Sequence, residues 1–442
     1  MAAVLAVAIS FNSQGAQKTL SPELEARLIR FFKVKEAQAQ ALIKQENKEG
    51  APDMWDFFKA GKEGDWKAVA SLYRGLARRA YQYEGTQNDK QLETMAWQPL
   101  NECFGAYDQF INWPEDYVEM FGHEILGSIP PGSIYFGGTD PGRWVVTAFC
   151  KSHTKADPCF VLTQNALADG LYLKYLGRMY GGRIKTPSEA DSKKAYDAYI
   201  AEASQRDKEG KLKAGENVKN VNGKYQVSGQ VAVMAVSANI ARMVFDSNPD
   251  REFFIEESFP LDWMYPYLSP NGFIMKINRK PPGELAAEIV RKDRDHWMWF
   301  IDRAVGQWLT PETPLKDVCE FAAKVFGARE SGDYQADDRF VRNGSASKTY
   351  SKLRSSIAQV YVWHWKNSKS PDDKKRMAKE ADFAFRQAFA LCPYSPEVVS
   401  RYVNLLKEQG RKTDALLVAQ TAEPLDPRNR QFSKLIQQLE EE

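Results

Sequence analysis

Apolar residues recur three and four positions apart through most of the first 112 residues, a spacing that predicts helices rather than strands. Leu24, Leu28, Phe31 and Phe32 form one such stripe, and Ser21-Pro22 before it supplies a side-chain cap and a proline suited to a first helical turn. Trp66, Val69, Leu72, Tyr73 and Leu76 form a second stripe. The turn Gly61-Lys62-Glu63-Gly64-Asp65 separates it from Met54-Trp55-Asp56-Phe57-Phe58, so a helix–turn–helix pair is expected. A further helix is predicted over Leu92–Phe110, which makes 18–112 a helical region.

The pattern then changes. Helix Pro114–Leu126 should stop at Gly127-Ser128-Ile129-Pro130-Pro131-Gly132, and the apolar run Ser133-Ile134-Tyr135-Phe136 predicts a strand. A glycine-rich loop, Gly137-Gly138-Thr139-Asp140-Pro141-Gly142-Arg143, leads into a predicted helix over Trp144–Lys151. A second strand, Cys159–Thr163, precedes helix Ala166–Tyr180. This alternation predicts a parallel α/β unit. Two later strands are expected, Glu252–Glu256 and Gly272–Asn278, with Trp263–Leu268 as a packed loop or helical turn between them. An insertion near 186–226 should hold helix Ser188–Gln205 and a polar loop, Asp207–Gly223, before helix Gln230–Val244. The fold class is therefore α/β plus all-α. A central three-layer α/β domain (113–283) with a short, mostly parallel sheet follows the helical region, and a helical connector (284–345) with a charged linker at Gly332–Ser347 leads to a helical segment, 346–442.

Composition narrows the class. Sixty Lys and Arg against 58 Asp and Glu leave a net charge of +2, so no basic footprint for nucleic acid emerges. Twelve per cent aromatic residues exclude a disordered chain. Cys103, Cys150, Cys159, Cys319 and Cys392 contain no Cys-x-x-Cys and read as buried thiols. His123, His153, His296 and His364 lack metal-ligand spacing, so neither a metal nor a cofactor is expected. No apolar run is long enough for a membrane-spanning helix. Ala2–Ile9, followed by Ser13, Gly15 and Ala16, reads as a signal-like segment over 1–17 and favours an extracytoplasmic location; an ordinary N-terminus, and hence the cytoplasm, is the alternative.

A repeat stands out near the C-terminus. Ala381, Phe385, Ala388 and Pro393 lie at offsets 0, 4, 7 and 12, and 34 residues later stand Ala415, Ala419, Ala422 and Pro427. This resembles the tetratricopeptide repeat (TPR), whose helix pairs place small residues where two helices meet closely. The resemblance implies one complete repeat at about 396–429, a divergent one starting near Lys352 and a capping helix at Asn429–Leu439. Val399 stands where the repeat has a large aromatic residue. Such arrays bind proteins or peptides, and intramolecular packing is the other use open to so short an array.

The candidate ligand site is the glycine-rich loop. Gly137, Gly138 and Thr139 permit close backbone approach, Asp140 could orient hydroxyls, and Arg143 could pair with a phosphate or carboxylate. Asp140 could equally cap the helix, with Pro141 at its first position. Neither the dinucleotide fingerprint nor a P-loop is present. Asn165 and Glu256, at the ends of later strands, complete the candidate set, because ligands of open α/β sheets gather beyond the carboxyl ends of strands. Glu256 and Glu257 alternate in facing and cannot serve one cleft as a carboxylate pair. No catalytic residue is assigned.

Ile129–Tyr180 with Arg251–Arg279 resembles the soluble tail of bacterial protein O-mannosyltransferase-like membrane proteins. There a strand similar to Ile129-Pro130-Pro131-Gly132-Ser133-Ile134-Tyr135-Phe136 precedes a Gly-Asp-Asn-Asp-Thr loop. The family's membrane-embedded catalytic core has no counterpart here, so the resemblance implies a detached accessory domain. The leading expectation is a non-catalytic binding or scaffold protein of the bacterial envelope, its repeats taking a protein partner. The alternative is an accessory sugar- or phosphate-binding domain.

Overall fold

The structure is a computed structural model that describes residues 20–80, 89–150, 158–257, 261–327 and 334–441; the signal-like segment lies outside these residues. In chain order the elements are α1 (Pro22–Glu46), α2 (Pro52–Glu63), α3 (Trp66–Ala80), α4 (Trp97–Asn112), α5 (Glu115–Ser128), β1 (Ser133–Gly137), α6 (Asp140–Phe149), β2 (Cys159–Thr163) and α7 (Gly170–Tyr180). There follow α8 (Glu189–Lys208), β3 (Asn217–Val221), β4 (Lys224–Ser228), α9 (Gln230–Ser247), β5 (Phe253–Glu256), β6 (Leu268–Asn271), β7 (Ile274–Ile277), α10 (Ala287–Ala304) and α11 (Leu315–Ala322). The chain ends in α12 (Asp338–Arg342), α13 (Gly344–Asn367), α14 (Pro371–Leu391), α15 (Pro396–Glu408), α16 (Lys412–Ala422) and α17 (Arg430–Glu441). The fold is α/β plus helical. Among the described residues no helix is long and apolar enough to cross a membrane.

The sheet is mixed, where a mostly parallel one is expected. Its order is β2-β1-β5-β7-β6, with β1 and β2 parallel and β6 and β7 antiparallel. The reason is local: Asn271 pairs with Ile274, so only Gly272 and Phe273 join β6 to β7, and so short a loop connects only antiparallel strands. Gly272 accepts the required left-handed conformation at φ +65°. The polar loop expected over Asp207–Gly223 instead carries β3 and the turn of a second hairpin, β3–β4, at Asn222 (φ +52°) and Gly223 (φ +80°). The charged linker Gly332–Ser347 likewise carries α12 and the first turn of α13, capped by Asn343, whose side chain accepts from the Ala346 amide at 2.7 Å.

The chain divides into two compact units. Of the described residues, the first comprises those within 1–111 and 129–253, and the second those within 112–128 and 254–442. In the first, Ser21 caps α1 as the sequence predicts, accepting from Leu24 at 3.2 Å. Aromatic rings fill its helical core: Tyr73 stacks on Phe104 at 3.6 Å and Trp66 on Tyr107 at 5.6 Å. Gly61 must be small, since a Cβ there would meet the Phe32 ring at 1.9 Å. In the second unit, Phe300 stacks on Tyr350 at 4.3 Å, and Phe273 packs edge-on against both. All five cysteines are buried, and burial raises the thiols of Cys319 to about 11 and Cys392 to about 12, as suits inert core residues.

Candidate functional site

Parallel pairing of β1 with β2 sets Gly137 opposite Thr163, so the loops leaving both strands emerge side by side. That register brings Gly137, Gly138, Thr139, Asp140, Arg143 and Asn165 together: Asn165 Nδ2 donates to the Gly138 carbonyl at 3.0 Å. The close approach demands glycine at 137, where a Cβ would lie 2.9 Å from Arg143 Cα. Thr139, not Asp140, caps α6; its Oγ1 accepts from the Gly142 amide at 3.2 Å, leaving Asp140 and Pro141 in the first turn.

The two charges of the loop face each other. Arg143 is buried, and its Nε and Nη2 both donate to Asp140 Oδ1, the former at 3.1 Å. The guanidinium also lies 4.3 Å from the centre of the Trp144 ring. An anion arriving here would compete with Asp140 for its only arginine partner in the loop, so the arrangement acts first as a helix start. Asn165 Oδ1 is buried and accepts no hydrogen bond from the described residues. Glu256 falls in the second unit, where it is fully buried in β5; Glu257 beside it is also buried.

A cleft in that second unit was not visible in the sequence. It has a volume of about 670 Å³ and lies among the end of α5, the β6–β7 hairpin and one face of α10. Ile289, Lys292, Asp293 and His296 line it from α10 at the spacing of a single helical face. Asp293 is the buried charge: its Oδ2 accepts from Arg354 Nη1 at 2.8 Å and from the Tyr361 hydroxyl at 2.6 Å. Asp293 Oδ1 and His296 Nε2 are both buried and make no hydrogen bond to the described residues. Ser269, Asn271 and Lys276 add polar groups from the hairpin. The helical spacing of Lys292, Asp293 and His296 was the one available signal, and it resembles that of any solvated helix face. Among the described residues no three His, Cys, Asp or Glu side chains come together to hold a metal.

His296 packs edge-on against Phe273 at 4.5 Å, and burial lowers its pKa to about 4; Asp293 opposes that shift and Arg354 adds to it. Because the folded state favours the neutral ring, its stabilising effect is complete above the unfolded value of 6.5 and is lost as pH falls towards 4. Between pH 7 and 4.5 this one group should remove about 2–3 kcal/mol. Guanidinium denaturation at both pH values is therefore expected to show His296→Gln losing less stability than the parent by about that amount. Equal losses would mean that the imidazole is solvated.

No protein-family model, curated protein or solved structure matches the chain.

Proposed function

We propose that this chain is a non-catalytic binding and scaffold protein of the bacterial envelope whose C-terminal helices form a TPR-like array for a protein partner. The observation that carries this reading is the 34-residue recurrence, whose small residues lie buried in the helices. Ala381 and Ala388 on α14 and Ala415, Ala419 and Ala422 on α16 are all fully buried. Three-residue connections join α13 to α14 and α15 to α16, lengths that make antiparallel neighbours. In the first pair, small residues let the backbones approach: Ser351 Oγ donates to the Ala388 carbonyl at 2.6 Å. Helix α17 buries Phe432 and Leu439 and exposes most of its other residues, as a capping helix does.

Part of this array serves the chain itself. Helix α13 is buried along most of its length; Ser356 Oγ donates to the Glu257 carbonyl at 2.8 Å, and Arg354 and Tyr361 hold Asp293. A partner would therefore use the later helices, where Asn404 and Glu408 of α15 are exposed. In the glycine-rich loop Asp140 and Arg143 already satisfy each other, which favours the repeats over the loop as the binding surface.

A photo-crosslinking amino acid placed at Asn404 of the full chain, in cells of the source organism, is expected to give one discrete adduct. The adduct should disappear when Glu408 is changed to Lys and should not form from Lys219, exposed on β3. Identical adducts from positions 404 and 219 would overturn the reading, and fractionation of the same cells checks the compartment.

A further inference from the structure

The cleft on α10 has a chemistry of its own, independent of the repeats. Its buried acceptor is Asp293 Oδ1, on a side chain held rigidly through Oδ2 by Arg354 and Tyr361. Asn271 and Asn278, which also line the cleft, are tied down through their nitrogens: Asn271 Nδ2 donates to the Ser128 carbonyl at 3.2 Å, and Asn278 Nδ2 to the Tyr267 carbonyl at 2.8 Å. Their carboxamide oxygens remain to accept. A ligand must therefore bring several hydrogen-bond donors.

Ammonium groups would supply donors, but Lys276 and Lys292 line the same cleft and would repel them. The Lys292 pair with Glu288 (2.8 Å) is about two-thirds exposed on both sides and so holds the ammonium only weakly. Hydroxyls meet both conditions, because they donate to Asp293 and the asparagines and can accept from or donate to a neutral His296. Lys292, and Lys276 whose ammonium also lies 5.9 Å from the Phe254 ring, then favour a negative group elsewhere on the same molecule, against the repulsion of the exposed Glu124 that also lines the cleft. A volume of about 670 Å³ falls within the range of small-molecule sites.

We propose that this cleft binds a hydroxylated small molecule bearing an anionic group, of the sugar-phosphate or sugar-acid class. Calorimetric titration of the full chain with glucose 1-phosphate, glucuronate, glucose and inorganic phosphate tests it. At least one of the two anionic sugars is expected to bind at least about tenfold more tightly than glucose or phosphate. The phosphate and carboxylate probes tell the two sources of charge apart. Lys276→Met with Lys292→Met should weaken that binding about tenfold or more and leave glucose unaffected, and His296→Gln should weaken it as well. Asp293→Asn should abolish it, but this residue also supports the fold, so the lysine and histidine variants decide the matter. The proposal fails if neither anionic sugar saturates by about 10 mM, if inorganic phosphate binds as tightly as the anionic sugars, or if the lysine variant binds like the parent.

Discussion

Replacing Arg354 with methionine is expected to destabilise the second unit by about 3–5 kcal/mol. Arg354 and Asp293 form an ion pair with both side chains 1% exposed, so the variant strands a buried carboxylate. It also takes a donor from Gln387 Oε1, which accepts from Arg354 Nε at 2.7 Å, and a cation from the Trp297 ring 5.0 Å away. The loss should come from the orphaned partner rather than from any large net worth of the pair. Removing both charges tests that distinction, because Arg354→Met with Asp293→Leu fills similar space with apolar groups and is expected to recover most of the loss. Equilibrium denaturation of both variants is the measurement. A single variant within about 1 kcal/mol of the parent would show that water reaches the pair.

Arg354 also shows where sequence reading stops. Polar residues dominate the stretch Ser345–Ser356, so its start resembles a linker and only the later residues a helix. Yet Ser347, Ser351, Arg354, Ser355 and Ser356 are all buried, because hydroxyls can satisfy themselves on nearby carbonyls: Ser351 on Ala388, Ser356 on Glu257. Burial of such a helix depends on partners a hundred residues away, which periodicity cannot see. Where the signal was local, it was readable. Ser21-Pro22 starts α1, and the strand–loop–helix order from Ser133 to Tyr180 matches β1, α6, β2 and α7.

The hairpin β3–β4 has a local sequence signal. Val221-Asn222-Gly223-Lys224 is a strong two-residue turn signal, masked by the lysine-rich composition around it. The glycine-rich loop follows β1, and Asn165 bonds to its Gly138 carbonyl. What spacing could not show is that Arg143 turns back onto Asp140. An arginine three residues after an aspartate in a helix's first turn has an intrahelical partner within reach, and that local pairing precedes any ligand. The cleft on α10 was hidden for the opposite reason: its walls come from α5, the β6–β7 hairpin and α10, which only the tertiary fold assembles.

The first unit holds the other large expected effect. Lys35 of α1 is fully buried and pairs with Glu102 of α4, and Tyr175 of α7 closes the group. Burial and the neighbouring Glu102 raise the Tyr175 pKa well above its usual range, so the phenol stays protonated and donates to the carboxylate at 3.0 and 3.1 Å. The phenol oxygen in turn accepts from Lys35 Nζ at 3.4 Å. Lys35→Met leaves a carboxylate in the core with only the phenol among these three groups to oppose its charge, and should cost about 3–5 kcal/mol. Glu102→Gln in the same chain replaces that charge with an amide, which Tyr175 can still serve as a donor. The double variant should therefore be more stable than Lys35→Met alone, by about 1–3 kcal/mol. Tyr175→Phe should be milder, about 1–2 kcal/mol, because the ion pair survives it. Denaturation midpoints for the three variants give the order. If the double variant were instead less stable than Lys35→Met, the buried carboxylate would have a second counter-charge, and the coupling of α1, α4 and α7 would not rest on this ammonium.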